Sequence, residues 1–279
     1  MGSFAVIAKG MLRQEQRSGR VMMGYLLGCA IVGYWMSNFL RYAVDAGEPI
    51  NILETFCVVE QHYVNMLFLV LGWLLIMADV PFMKGNIYLL LYRCGRKRWN
   101  MGMLFYILIQ AFLYAAALAA FTIIISSFFG FAGNMWSSPV YSLALDVTNN
   151  IGAKYNITFP WLGMMKAMSV PQAFAVTFLF LYLYLAFMGV LLYVAALLLS
   201  GTAGMVVVMG VHLAGYLRMM DGYTETSLLA RAVPGNFIDG TLSYWQSAVL
   251  FLGLIAVLMV LSSVLVKKME FQPGKEIDG

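Results

Sequence analysis

The chain has 279 residues, of which 62% are hydrophobic and 11% charged, with a net charge of +4 and a mean hydropathy of +0.82. An average soluble domain is roughly 45–50% apolar and about 25% charged. A water-soluble fold of this length cannot bury so much apolar surface, so the composition excludes one and predicts an integral membrane protein. We expect one membrane domain over residues 1–279.

Six apolar runs, in chain order, predict six transmembrane helices. They cover about residues 21–40, 62–79, 101–130, 171–200, 204–219 and 246–266. Gly201 and Gly204 separate the fourth run from the fifth and predict a tight turn. One continuous helix over 171–219 would be about 70 Å long at roughly 1.5 Å per residue, far more than a bilayer needs. We therefore predict two helices there.

The basic residues predict the orientation, because cytoplasmic loops are enriched in Lys and Arg. With the N-terminus inside, most of the 17 basic residues fall on the inside. The inside set is Lys9, Arg13, Arg17, Arg20, Lys84, Arg93, Arg96, Lys97, Arg98, Lys267, Lys268 and Lys275, and the outside set is Arg41, Lys154, Lys166, Arg218 and Arg231. The predicted fold is all-α, in the cell membrane, with both termini in the cytoplasm.

The first 20 residues form an amphipathic pattern. On a helical wheel one face is apolar and the opposite face is basic, which is typical of a helix lying in the membrane interface. The apolar face holds Phe4, Ile7, Ala8, Met11 and Leu12, and the basic face holds Lys9, Arg13, Arg17 and Arg20. The alternative is a basic flank of the first span with no defined helix.

The loop between the second and third spans has the most distinctive sequence. Pro81 begins or ends a helix, and Gly85 predicts a break. Residues 86–93 can form a short helix with an apolar side, and Gly95 can stop it before a basic turn. The alternative is that the loop serves only as a positively charged anchor.

This loop resembles that of the permease subunits of type 2 ABC transporters, the exporter-type ABC permeases. The resemblance rests on the stretch Leu90-Leu91-Tyr92-Arg93-Cys94-Gly95-Arg96-Lys97-Arg98-Trp99 followed by Gly102. The family often has an acidic residue where Phe82, Met83 and Lys84 stand, and proline where Gly95 stands. Leu228–Asn236, around Pro234, and Val266–Glu270 are similar to the family's outer re-entrant segment and to the end of its last span.

The resemblance implies an interfacial N-terminal helix, six spans and a cytoplasmic coupling helix that docks on a separate ATPase subunit. It assigns the ATPase-coupling loop to Lys84, Asn86, Tyr88, Leu89, Leu90, Leu91, Tyr92, Arg93, Arg96, Lys97 and Arg98. It assigns the interfacial helix to Phe4, Ile7, Lys9, Met11, Leu12, Arg13 and Arg17. The implied partners are ABC ATPase subunits, which bind the ATP, and a second permease copy or a similar permease.

The two outer loops are candidate substrate-facing segments. The first is acidic and could attract a cationic peptide, although solvation explains its charges equally well; its acids are Asp45, Glu48, Glu54 and Glu60. The other, about 131–170, is long and predicts a short surface helix at about 138–148. Its aromatic residues are also typical of an interfacial belt; they are Trp136, Tyr141, Tyr155 and Trp161.

Few polar residues lie within the spans, and they do not form a catalytic pattern. For His212 we expect a hydrogen bond between helices rather than a proton relay or ligand. The two histidines lack a partner at metal-ligand spacing, so we expect no metal. The chain has no phosphate loop and no hydrolase motif.

The resemblance therefore implies a non-enzymatic permease subunit of an ATP-driven exporter, for which we expect no cofactor of its own and no nucleic-acid partner. Candidate substrates are a peptide, an antibiotic or a lipid-linked molecule. The alternative is a membrane scaffold or sensor subunit that does not transport.

Overall fold

The computed structural model describes residues 4–15, 18–81, 94–146, 148, 150–157, 162–237 and 242–268. In these ranges the chain is mainly α-helical. The helices are α1 (Phe4–Glu15), α2 (Gly19–Ala46), α3 (Glu54–Glu60), α4 (Tyr63–Met77), α5 (Arg96–Ser126), α6 (Ser138–Ala144), α7 (Asn150–Tyr155), α8 (Leu162–Ala167), α9 (Val170–Leu198), α10 (Gly201–Met220) and α11 (Tyr244–Lys268). Two short strands, β1 (Ile50–Asn51) and β2 (Gly130–Phe131), pair in parallel. Short 3₁₀ turns cover Thr224–Thr226, Ala230–Ala232 and Pro234–Phe237.

Five of these helices, α2, α5, α9, α10 and α11, are long and apolar enough to cross a membrane. The pair α3 and α4 passes the same test only when joined, and its two helices are bent by 89°. The prediction of an all-α integral membrane protein is thus confirmed, with five spans or six if the bent pair counts as one. The side of the membrane on which the termini lie stays a prediction.

The second predicted span differs most from the sequence-based expectation. Residues 62–79 correspond to α4, which has 15 residues and is therefore about 22 Å long, shorter than a hydrocarbon core of roughly 30 Å. The chain reaches α4 through α3, all of whose residues are buried. This element is a bent pair of helices and not a straight span.

The turn between α9 and α10 follows the prediction. α9 ends at Leu198, and the Ser200 hydroxyl accepts a hydrogen bond from the Ala203 backbone N–H at 3.2 Å, which caps α10. The two helices then pack against each other. At Gly204 a Cβ atom would lie 2.9 Å from the Ala196 nitrogen, so only glycine permits this approach.

Glycines also bring α2 and α4 together, with α5 packed beside them. A Cβ atom at Gly72 would lie 2.8 Å from the Gly24 carbonyl oxygen and 2.5 Å from the Tyr114 hydroxyl oxygen. A Cβ atom at Gly28 would overlap the same hydroxyl group. Tyr114 fills the space left by these glycines and donates a hydrogen bond to the Leu69 carbonyl at 3.0 Å. Small residues at helix contacts are the usual means of close packing in membranes.

The helix ends define two ends of the bundle. At the first, which we call the basic end, α2 and α5 begin and α4 and α11 end. There Arg20 forms an ion pair with Asp79 at 2.7 Å, and Arg96 donates to the Lys267 carbonyl at 3.2 Å. At the other, which we call the loop end, lie β1, β2, α6, α7, α8 and the 3₁₀ turns.

Replacing Gly72 with alanine is expected to lower the apparent melting temperature of the purified protein. The added methyl group would meet both backbone and a buried tyrosine, and overpacking of this kind typically costs about 1–3 kcal/mol. Gly253→Ala is the matched control, because nothing lies within 4 Å of its Cβ position. Equal losses for Gly72→Ala and Gly253→Ala would contradict the packing described here.

Candidate functional sites at the two ends of the bundle

The N-terminal residues form helix α1, which excludes the alternative of an undefined basic flank. Its apolar face packs on α5: a Cβ atom at Gly102 would lie 2.8 Å from Ile7, and the Phe4 and Phe105 rings meet edge to face at 5.5 Å. Among the predicted interfacial residues, Ile7 and Met11 are buried, Leu12 is half-buried, and Phe4, Lys9 and Arg13 are exposed. Arg17 lies outside the described residues. The location of α1 at the membrane interface stays a prediction.

A polar network joins α1 to the rest of the basic end. The Glu15 carboxylate is buried and accepts a hydrogen bond from the Tyr106 hydroxyl of α5. Burial raises the pKa of Glu15 to about 7, while the Tyr106 hydrogen bond and the charge of Arg20 oppose the rise. Arg20, at the start of α2, pairs with Asp79 after α4. One chain of polar contacts and charges therefore connects α1, α2, α4 and α5.

A second polar contact ties α5 to the two helices beside it. The Tyr193 hydroxyl of α9 donates to the Asn100 side-chain oxygen at 2.7 Å, and the Asn100 amide donates to the Ser263 hydroxyl of α11 at 3.0 Å. Asn100 is buried. The first turns of α5 are thus held by α1, α9 and α11.

Only the end of the predicted coupling loop can be placed. Arg96, Lys97 and Arg98 form the exposed first turn of α5. Gly95 precedes them with a φ of 75°, a conformation that favours glycine, and α5 begins directly after it. The remaining residues assigned to ATPase contact lie outside the described ranges; they are Lys84, Asn86, Tyr88, Leu89, Leu90, Leu91, Tyr92 and Arg93.

At the loop end, Glu54 is the centre of a hydrogen-bonded cluster. Its carboxylate accepts the backbone N–H of Asn51 at 3.0 Å, and both the backbone N–H at 3.0 Å and the hydroxyl of Ser137. The Asn51 side chain donates to the carbonyls of Gly133 and Met135 at 2.7 and 3.0 Å. Together with the β1–β2 pair, these bonds fasten the connection after α2 to the connection after α5.

This cluster corrects the interpretation of the first outer loop as an acidic surface. Glu54 and Glu60 are 0% and 2% exposed, so they do not face a solvent-borne ligand. Asp45 and Glu48 are exposed, and Asp45 accepts a hydrogen bond from the Tyr155 hydroxyl at 2.8 Å. The sequence carries no local sign of this burial, since Ser137 is 83 residues from Glu54.

A cavity of about 520 Å³ opens beside the Glu54 cluster. Glu48 and Lys166 supply charge to its wall, and Trp136 supplies an aromatic surface. The Trp136 indole N–H donates to the Met168 carbonyl at 3.0 Å, which fixes the ring. The wall therefore offers both signs of charge beside apolar surface.

The predicted surface helix at 138–148 is present but shorter, as α6. Helix α6 ends at Ala144. Just after it, the Asp146 carboxylate accepts hydrogen bonds from the Ile151 backbone N–H, in the first turn of α7, at 2.5 Å and from the Thr148 hydroxyl at 3.0 Å. The aromatic residues of this loop are not a uniform belt. Trp136 is buried, Tyr155 half-buried and Tyr141 exposed, while Trp161 lies outside the described residues.

His212 confirms the expected hydrogen bonding between helices. Its Nδ1 lies 2.7 Å from the Tyr184 hydroxyl of α9, and its Nε2 lies 3.1 Å from the Leu67 carbonyl of α4. Because a carbonyl can only accept, Nε2 carries the proton and Nδ1 accepts from Tyr184. The histidine joins α10 to α4 and α9. In the part of the chain that the structure describes, no three His, Cys, Asp or Glu residues are grouped to hold a metal.

The bend between α3 and α4 hides a polar cluster that the sequence analysis missed. Glu60, Gln61 and Asn65 are buried, and their side-chain oxygen and nitrogen atoms find no hydrogen-bond partner among the described residues. His62 stacks on Trp35 with ring centres 3.7 Å apart. A carboxylate in such a place destabilises the fold when it is ionised.

Comparisons with known proteins add nothing to these sites: no family model, curated protein or solved structure matches the chain.

Glu54 and Glu60, at opposite ends of α3, are expected to respond oppositely to replacement by glutamine. Glu54→Gln should lower the apparent melting temperature, because an amide group would face backbone donors and leave a buried group unpaired, at about 1–3 kcal/mol. Glu60→Gln should leave it unchanged or raise it, because neither carboxylate oxygen of Glu60 has a hydrogen-bond partner among the described residues and a buried ionisable group becomes a neutral one. Thermal unfolding in one detergent checks both, and a loss for Glu60→Gln as large as for Glu54→Gln would contradict this account.

The raised pKa of Glu15 predicts a pH-dependent stability. Folding favours the neutral carboxyl, so its contribution is fully present below about pH 4.5 and is lost as the pH rises through about 7. The melting temperature of Glu15→Gln minus that of the unmodified protein should therefore be higher at about pH 8 than at about pH 5. Glu48→Gln, at an exposed position, should show no such change. The prediction is wrong if the difference between the melting temperatures of Glu15→Gln and the unmodified protein is the same at both pH values.

Proposed function

We propose that this chain is the membrane permease subunit of an ATP-driven exporter of the type 2 ABC class. It would form the translocation path with a second copy or a similar permease, and separate subunits would bind and hydrolyse ATP. The observation that carries the proposal is the position of α5. This helix begins with three exposed cations directly after the predicted coupling loop, and its first turns contact α1, α9 and α11.

The three cations at the start of α5 do not stabilise that helix, so they favour a contact outside it. Arg96, Lys97 and Arg98 stand at a helix N-terminus, where the helix dipole disfavours cations. They therefore weaken α5 locally. Their sign suits either cytoplasmic anchoring or contact with an acidic partner surface, and the apolar stretch Leu89–Leu91 before them adds the kind of side chains that dock in a groove.

The contacts of α5 give such docking a mechanical consequence. A partner that pushes the loop before Gly95 would displace the start of α5, and with it α1 through Ile7, α9 through Tyr193 and α11 through Ser263. A rigid-body shift of packed helices is a common form of switching in proteins. Closure of ATPase subunits would supply the work. A peptide, an antibiotic or a lipid-linked molecule remains the candidate cargo.

One feature favours the alternative of a non-transporting sensor or scaffold. The 520 Å³ cavity at the loop end is built from segments already fastened by the Glu54 cluster, and such a fixed cleft suits ligand recognition. A sensor would need no ATPase partner. A neighbouring reading frame with a phosphate loop would favour transport, and its absence would favour the sensor.

If a neighbouring reading frame encodes an ATPase, co-purification with that ATPase tests the proposal. Replacing Leu89–Arg93 with Ala and Ser, or Arg96, Lys97 and Arg98 with Ser, should abolish co-purification, because the docking side chains and charges are gone. The protein should still insert in the membrane with unchanged orientation. The matched control removes three exposed cations at the loop end, Arg41, Lys154 and Arg218, and should retain the ATPase. Retention of the partner by both coupling-loop variants would overturn the assignment.

A further inference from the structure

A groove of about 390 Å³ runs along the outside of the bundle at the basic end. Helix α5 forms one wall with Leu104 and Leu108, and α11 forms the other with Met259 and Val260. Phe4 of α1 lies across it near the basic end. Three separate elements thus build one continuous recess.

The lining is apolar along its length and charged at one end. The Ser263 hydroxyl is already satisfied, donating to the Met259 carbonyl at 2.9 Å and accepting from the Asn100 amide at 3.0 Å. Lys267 is the charged member of the lining and is exposed. Lys267 lies in the last turn of α11, and its backbone carbonyl accepts a hydrogen bond from Arg96 at the start of α5.

The groove opens outward between helices that are long enough to cross a membrane. Val260 is 66% exposed and Met101 45% exposed along its rim. From Met259 to Lys267 the groove follows α11 for about 12 Å, at roughly 1.5 Å per residue. The hydrocarbon of one leaflet is about 15 Å thick, half of the roughly 30 Å core. The recess therefore covers most of the depth of one leaflet, starting from the basic end.

We propose that this groove binds one acyl chain of an anionic phospholipid, whose phosphate lies on Lys267. The apolar walls of α5 and α11 take the chain, and the cation at the end of α11 selects the headgroup. Anionic headgroups are attracted to basic side chains at the membrane surface. The bound lipid would contact α1, α5 and α11 together, and so it would hold α1 against the bundle. The site does not depend on any ATPase partner.

Lipid binding by the full-length protein tests the proposal. Purified protein is incubated with phosphatidylglycerol or phosphatidylcholine of the same acyl chains, and bound lipid is counted by native mass spectrometry. The unmodified protein should retain phosphatidylglycerol in preference. Lys267→Gln should reduce that preference by roughly fivefold, the equivalent of one basic contact. Met259→Trp, which fills the groove, should reduce retention of both lipids.

Two control variants distinguish lipid binding in the groove from non-specific binding to the charged and apolar surface of the protein. Lys268→Gln removes the adjacent cation, which does not line the groove, and Leu252→Trp enlarges an exposed residue of α11 away from it. Both should bind lipid as the unmodified protein does. Equal effects of Lys267→Gln and Lys268→Gln would overturn the proposal. Unchanged lipid retention by Met259→Trp would also overturn it. So would lipid retention that appears only after residues 269–279 are removed, because that segment would then be the occupant of the groove.

Discussion

The contact of α2, α4 and α5 around the Tyr114 hydroxyl is the constraint on which the bundle depends. In a membrane, apolar surface gives helices little reason to associate, because lipid is as apolar as their side chains. What favours association is close packing and the pairing of polar groups. Gly28 and Gly72 leave room for one tyrosine, whose hydroxyl donates to a carbonyl of α4, and Gly24 lets α2 approach α4 at Gly72 and Ile76. The same logic recurs where His212 joins α10 to α4 and α9.

The two ends of the bundle use their polar groups differently. At the loop end, Glu54 has several donors from two distant connections, so those connections form one fixed unit. At the basic end, Glu15 has the Tyr106 hydroxyl, Arg20 shares an ion pair with Asp79 that is partly exposed to solvent, and Arg96 caps α11. Partly exposed pairs contribute little stability, on the order of 0–1 kcal/mol. The ion pair therefore adds little at the basic end, where the buried hydrogen bonds of Glu15 and Asn100 hold the helices together.

Hydropathy was enough to predict the long helices, because each residue of α2, α5, α9, α10 and α11 adds to the same signal. The turn between α9 and α10 was predictable as well, since its glycines stand within five residues. The bend of α3 against α4 was not. Hydropathy is a sum along the chain and carries no direction, so an apolar run reads the same whether it is straight or bent.

In the candidate sites, too, local features could be predicted from the sequence and tertiary contacts could not. The amphipathic period of α1 is local and could be predicted. The burial of Glu54 and Glu60 could not, because it depends on side chains from other helices and, for Glu54, on Ser137 far along the chain. The groove between α5 and α11 is likewise a product of tertiary packing: its walls are separated by more than 140 positions in sequence. A residue's charge can be read from sequence, but its surroundings cannot.

The 89° bend between α3 and α4 also bears on how α4, a helix of 15 residues, fits a bilayer. α4 alone falls about 8 Å short of a typical hydrocarbon core, and a lone helix of that length would create a hydrophobic mismatch that thins the surrounding lipid. Here α3 turns away at 89° and lies wholly inside the protein. Where α4 begins, the chain before it is therefore surrounded by protein atoms rather than by lipid tails.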